Sequence, residues 1–169
     1  HLVSGFATTG RLVLGQEAVD AKSSEIAAIP VLLARLADQD GLKGALVTID
    51  AIATNPTIAG AIRQAGADYL LAVKANQPTL RAEIEAFFAA ADPARLDIVK
   101  DIDKGHGRIE ERTVTIAREV DWLEGERRFP GELRLPDVAT LVRVESKAEL
   151  KDRGRCETRY YISSAVLSA

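Results

Sequence analysis

The sequence predicts an α/β protein: a mixed sheet with flanking helices, followed by a second half rich in strands. Three observations carry that expectation. GALVTIDAIATNP (44–56) and DYLLAVKANQ (68–77) are apolar at successive positions, and such runs read as central strands buried on both faces beneath helices. The segment after each run carries apolar residues at helical spacing. After residue 97 the character changes, and charged and β-branched residues alternate through RTVTIAREV (112–120), the period of half-buried strands.

Taken in order, residues 2–7 and 12–19 are short apolar runs separated by Thr9-Gly10-Arg11, which suits a β-hairpin. In AKSSEIAAIPVLLARLAD, Ile29, Leu32, Leu33 and Leu36 form one helical face, with Pro30 tolerated in the first turn. The strand at 45–50 ends on Asp50. Asn55-Pro56 then reads as cap and first turn of a helix with Ile58, Ile62 and Ala65 on one face and Gly66 at its end. The next apolar strand ends on Lys74, and Leu80, Ile84, Phe87 and Phe88 make a helix that Ala91-Asp92-Pro93 stops. Strand-like runs follow at 112–120, 138–146 and 157–164, joined by turns containing Gly and Pro. The one soft boundary, near residues 91–96, divides a first unit (1–96) from a strand-rich second unit (97–169).

A chain of 169 residues can build one domain with a real core, or one domain plus an insertion. Its net charge of -3 has no basic block, which argues against a broadly basic nucleic-acid-binding protein while leaving room for a local basic groove. The single cysteine, Cys156, cannot form an internal disulfide and fits a reducing compartment. No apolar run approaches the ~18 residues of a membrane span, and the N-terminus has no signal-peptide pattern, so a cytoplasmic protein with no membrane partner is expected. There is no Met, so His1 is not a translation start and the chain reads as a piece of a longer protein.

A carboxylate at the carboxyl end of a buried strand stands where α/β sheets collect ligands. Asp50 is therefore a candidate metal ligand, general base or nucleophile, and equally a simple cap of the following loop. With Lys74 at the end of the next strand, two chemistries fit. In one, Asp50 joins other carboxylates in holding divalent metal for phosphoryl transfer. In the other, Asp50 accepts a phosphoryl group that Lys74 senses, as in signalling receivers. That version needs an acidic pair at the end of the first strand, and neither hairpin run supplies one. A Ser4, His106, Asp50 triad lacks a G-x-S-x-G elbow. With His106 the sole non-terminal histidine, a His-rich zinc site is excluded within the chain. In KGHGRIEER (104–112), Lys104, His106, Arg108 and Arg112 sit around glycines that permit close approach to a phosphate backbone. The competing reading is a solvated hairpin turn in which Glu110 and Glu111 balance the arginines. Trp122, Tyr160 and Tyr161 read as core or sheet-face aromatics, with base stacking second. Arg153, Arg155 and Arg159 fit either a solvated turn and strand or a phosphate track.

Six segments in order, RLVLGQ (11–16), AKSSEIAAIPVLL (21–33), TIDAIATNPTIAGAI (48–62), ADYLLAVKANQPTL (67–80), GHGRIEER (105–112) and YYISS (160–164), closely resemble the H-repeat-associated transposases of bacterial insertion sequences. The resemblance spans essentially the whole chain. It implies a ribonuclease H-like core of the DDE type, in which two Asp and one Glu hold Mg²⁺ or Mn²⁺ for DNA cleavage at transposon ends and strand transfer into target DNA. Asp50 matches the second Asp. The resemblance places the first Asp before His1 and the Glu beyond Ala169, so the 169-residue piece is expected to be inactive, with residues 97–160 an insertion ahead of a return strand. It also implies that Lys74, Asn76, Gln77, His106, Arg108 and Arg112 face DNA or support the site; a homo-oligomer is a further partner left open by the sequence. The chain departs from the pattern at Asn55-Pro56, where Gln and a charged residue are usual, and at Ser24, where Asn is usual. The second departure leaves Lys22, Ser23 and Glu25 as either a helix entry or a DNA contact. The rival from another class is a remnant that only binds DNA or oligomerises.

Overall fold

The computed structural model describes residues 2–19, 25–38, 41–105, 108–123, 127–150 and 153–169. Strands β1 (Leu2–Ala7) and β2 (Leu12–Ala18) pair antiparallel as a separate two-stranded sheet. Six further strands, β3 (Leu46–Ile49), β4 (Asp68–Val73), β5 (Asp97–Gly105), β6 (Arg108–Ala117), β7 (Thr140–Leu150) and β8 (Arg153–Ser163), form a mixed sheet in the order β3-β4-β8-β7-β6-β5. Within it β3 and β4 run parallel and every other pair is antiparallel. Helices α1 (Glu25–Ala37), α2 (Pro56–Gln64) and α3 (Pro78–Ala90) complete the fold.

The hairpin docks on α1 through two glycines. A Cβ on Gly5 would stand 3.1 Å from Leu36 Cδ1, and one on Gly15 would stand 3.2 Å from Leu32 Cδ1. Only residues without a side chain let the strands lie so close. In α1 the sequence expectation needs correcting, because Pro30 is the sixth helical residue and not in the first turn. An interior proline removes one helical hydrogen bond, and burial of Ala28, Ile29, Leu32, Leu33 and Leu36 offsets that loss.

Helix α2 forms as its ends dictate. Asn55 Oδ1 accepts from the Ile58 N–H at 3.0 Å, and Pro56 supplies a preset φ at the first turn. At the other end Gly66 has φ +72. Its N–H donates to Arg63 O at 3.0 Å, and the Ala67 N–H donates to Ile62 O at 3.2 Å, the Schellman arrangement that turns the chain into β4.

One face of the large sheet carries the core. Tyr69, Leu71 and Val73 of β4, Leu141 of β7 and Ile162 of β8 pack with Ile58 and Ile62 of α2 and Leu80, Ile84 and Phe88 of α3. Hydroxyls tie β4 to β8 and the loop beyond. Ser163 Oγ donates to Tyr69 O at 2.6 Å, and Tyr69 OH donates to Pro136 O at 2.6 Å. The alternate residues, including Leu70 and Ala72 of β4 and Arg155, Glu157, Arg159 and Tyr161 of β8, face the other way. The C-terminal tail crosses one end of that outer face, where the Leu167 N–H donates to Thr140 Oγ1 at 3.2 Å and the Ala169 N–H to Asp97 Oδ2 at 3.0 Å.

Two strand expectations are corrected. β3 is an edge strand of its sheet and is buried on one face only: Val47 and Ile49 face the core, while Leu46 is 45% exposed. A continuous apolar run does not by itself distinguish one covered face from two. β5 is a strand that no sequence run marks, yet it pairs with β6 along its whole length. Among the described residues no helix is long and apolar enough to cross a membrane.

Candidate active site at the carboxyl edge of β3 and β4

Because β3 and β4 run parallel, their carboxyl ends deliver the two following loops to one edge, with Ile49 opposite Leu71. Asp50 is the residue just past β3 and Lys74 the residue just past β4. Lys74 Nζ donates to Asp50 Oδ1 at 2.7 Å, and the Ala51 N–H donates to the same oxygen at 2.8 Å. Asp50 is thereby the N-cap of the short 3-10 turn Ala51–Ala53. The lysine hydrogen bond, then the backbone N–H, hold its carboxyl below the ordinary value of 3.8, so it is ionised at neutral pH.

A second layer of bonds fixes the loops to each other. Asn76 Nδ2 donates to Ala51 O at 2.9 Å, and Gln77 Nε2 donates to the same carbonyl at 3.0 Å and to Thr54 O at 3.3 Å. Gln77 Oε1 accepts from the Lys74 N–H at 3.3 Å. Thr54 Oγ1 donates to Ala72 O at 2.7 Å, a stitch that sequence reasoning missed. A Thr one residue ahead of an Asn-Pro helix start carries no signal that distinguishes it from any loop threonine. The carboxylate thus stands on hydrogen-bonded loops yet is open to solvent, with Asp50 68% and Lys74 59% exposed.

The pair opens on a cavity of about 680 Å³, lined among others by Thr48, Ala72, Arg81, Arg159 and Tyr161. Sequence analysis missed Arg81 here, and it is reached because α3 starts directly after the Lys74 loop.

Of the sequence candidates, Asp50, Lys74, Asn76 and Gln77 come together at this edge. Arg112 does not: it lies on β6, four strand spacings or about 19 Å across the sheet and four residues further along it, with its Nη2 donating to Glu110 Oε1 at 3.0 Å. Lys104 and Arg108 lie on β5 and β6, which run into the same connection, but their side chains are outside what the structure describes. His106, Lys22, Ser23 and Ser24 lie outside the described residues.

Chemically, a fixed, ionised carboxylate can take a hard cation, and the adjacent ammonium can steady an anion. Oxygen-ligated divalent ions need several protein or substrate ligands. Among the described residues no group of three His, Cys, Asp or Glu stands together to hold a metal ion. The described residues therefore do not form such a centre by themselves.

Over residues 1–169 the chain matches the family described as Transposase DDE domain. A Xanthobacter autotrophicus protein named for its place in the dhlA 3' region is 39% identical over 165 residues, covering 97% of this chain and 52% of the relative. The Escherichia coli K12 protein named "H repeat-associated putative transposase YhhI" is 37% identical over 173 residues, covering 100% of this chain and 44% of the relative. The chain thus spans about half the length of the curated relatives it matches. No solved structure matches it.

Proposed function

This chain belongs to the transposase DDE domain family, with the mixed, ribonuclease H-like α/β fold of that family, and on that premise we propose that its parent is an enzyme that cleaves DNA at transposon ends and transfers the strand into target DNA. The observation that carries the proposal is Asp50, a carboxylate hydrogen-bonded to Lys74 and the Ala51 N–H on the rim of an open cavity at the carboxyl edge of parallel strands. In this reading Asp50 is one catalytic carboxylate and one ligand of a Mg²⁺ or Mn²⁺ centre. The remaining ligands come from the rest of the parent polypeptide. The described residues do not make up such a centre by themselves, and in this reading the isolated chain is inactive.

Asn76 and Gln77 act as positioning residues, since both amides are spent on the carbonyls of the Asp50 loop. Lys74 orients the carboxylate and presents positive charge to the DNA backbone. Lys104, His106, Arg108 and Arg112, in the sequence segment 104–112, are the further candidates for contact with DNA. Residues 1–96 belong to the catalytic core, and 97–169 form a strand-rich insertion that returns to the core as β8. The parent works on DNA as a cytoplasmic protein, can assemble as a homo-oligomer, and has no membrane partner.

The test is strand cleavage by the full-length parent on supercoiled DNA carrying its element's ends. Nicked or linear product that appears with Mg²⁺ and vanishes with chelator is expected. Retarded DNA with no cleavage under any divalent ion would overturn the enzyme and leave the DNA-binding remnant.

A further inference from the structure

The outer face of β6, β7 and β8 carries a cavity of about 610 Å³ whose polar lining includes Arg112, Arg155, Arg159, Glu110 and Glu157. Strand register explains its composition. Across the three strands the rows on this face are Glu110, Ala148, Arg155; then Arg112, Ser146, Glu157; then Val114, Val144, Arg159. Small and β-branched residues on β7 form a floor between arginine-bearing walls. The cavity shares Glu157, Arg159 and Tyr161 with the cavity at Asp50, so the two are one trough leading along β8 to the carboxylate.

Charge on the trough is unevenly matched. Glu157 serves two guanidinium groups: Arg159 donates from Nε at 2.8 Å and from Nη2 at 3.0 Å, and Arg155 donates from Nη2 at 3.5 Å. Arg155 is 74% exposed and its single contact to Glu157 is long, so it can exchange partners, while Arg159, 58% exposed, holds Glu157 in the two-bond geometry that a phosphate would replace like for like. Guanidinium groups prefer a bidentate oxyanion. Beyond β6, Asp101 and Asp103 of β5 stand on the same face opposite Arg112 and Glu110, so the cationic side of the trough is the one along β8. Along β8, Arg155, Glu157, Arg159 and Tyr161 recur at steps of about 6.8 Å, a line that runs toward Ala72 of β4 and the Asp50 edge.

We propose that this trough is a phosphate track for a DNA strand, in which Arg155 and Arg159 leave Glu157 to grip the backbone and lead it to Asp50. The inference rests on the transposase reading and adds two contacts and a competing carboxylate to it.

The test uses the 169-residue chain and labelled single-stranded and duplex oligonucleotides titrated between low and moderate salt. The double variant Arg155→Gln, Arg159→Gln loses two phosphate contacts. Its plot of log affinity against log salt is expected to flatten by about 1.4 for a single strand and about 1.8 for a duplex, with affinity at low salt falling about tenfold. Glu157→Gln removes the competitor and should tighten binding several-fold, a gain that a merely structural role would not give. Lys100→Gln, Lys147→Gln removes the same charge from the helix-covered face, where Lys100 pairs with Glu111, and should change binding less. Circular dichroism and thermal midpoints verify that each variant folds. If the wild-type chain binds no DNA at low salt, or the arginine variant binds like wild type, the track is overturned. DNA cleavage by the parent would still uphold the transposase reading in either case. A peptide or protein ligand captured by the trough while DNA is refused would also overturn it.

Discussion

The two faces of the six-stranded sheet use the same alternation to opposite ends. The inner face presents Tyr69, Leu71, Leu141 and Ile162 to α2 and α3, and each is buried to 1% exposure or less. The outer face presents arginines and glutamates to solvent in exposed pairs. Asp50 stands where strand register ends, mounted by bonds to the Lys74 loop yet outside the core. The difference teaches that stability and chemistry are separable here. Removing inner-face atoms should unfold the chain, whereas removing edge or outer-face charges should change DNA chemistry at nearly constant stability.

The largest effect that sharpens this division is expected from Leu71→Ala. Truncating a fully buried leucine should destabilise the chain by about 2–5 kcal/mol, read as a lower urea midpoint. Ser163→Ala comes next, since its hydroxyl donates to Tyr69 O and accepts from the Ala165 N–H in a buried setting. The loss should be about 1–3 kcal/mol, and an unchanged midpoint would break the account of how β8 is fastened to β4.

Acidification provides a third probe, on the loop beneath α3. Glu132 is buried, which pushes its carboxyl up, but the Arg128 N–H and the Arg128 and Arg134 guanidinium groups outweigh burial and bring it to about 2. A carboxyl depressed from 4.5 to about 2 favours the folded state when ionised. Its contribution is complete above the ordinary value and drains away as pH falls toward 2. Thermal midpoints of Glu132→Gln should therefore depend less on pH than wild type over that interval.

The smallest effect belongs to the site. Lys74→Gln should change stability by less than about 1 kcal/mol, because the pair is exposed. The same variant should let the Asp50 carboxyl rise toward 3.8, which side-chain carbon NMR across an acid titration can follow. A carboxyl that stays low would mean the Ala51 N–H, not Lys74, sets it.

Much of this was legible before any coordinates because the signals were local. The Asn55-Pro56 entry and Gly66 exit of α2 are chemistry of adjacent residues, and both loops of the site follow apolar runs that end on a charge. What escaped was decided at a distance. The run 45–50 looks alike for an edge and a central strand, since only the neighbouring strands determine which it is. Pro30 could be placed in the interior of α1 only once the packed face of that helix was known. β5 mixes Asp and Lys with Ile and Val without a period-2 pattern, and becomes a strand by pairing with β6. Of the site, Asp50, Lys74, Asn76 and Gln77 converge because β3 and β4 are parallel neighbours, a tertiary fact. Resemblance singled these residues out, but the hydrogen bonds that Asn76 and Gln77 make to the Asp50 loop are visible only in the fold.

The most direct test of the central claim is to compare wild-type and Asp50→Asn parent protein in thermal melting and in Mg²⁺-dependent cleavage of DNA carrying the element ends. The account predicts matching melts, within the ~1 kcal/mol of an exposed pair, and no detectable cleavage by the variant. Cleavage at the wild-type rate would contradict the assignment of Asp50 as a catalytic carboxylate.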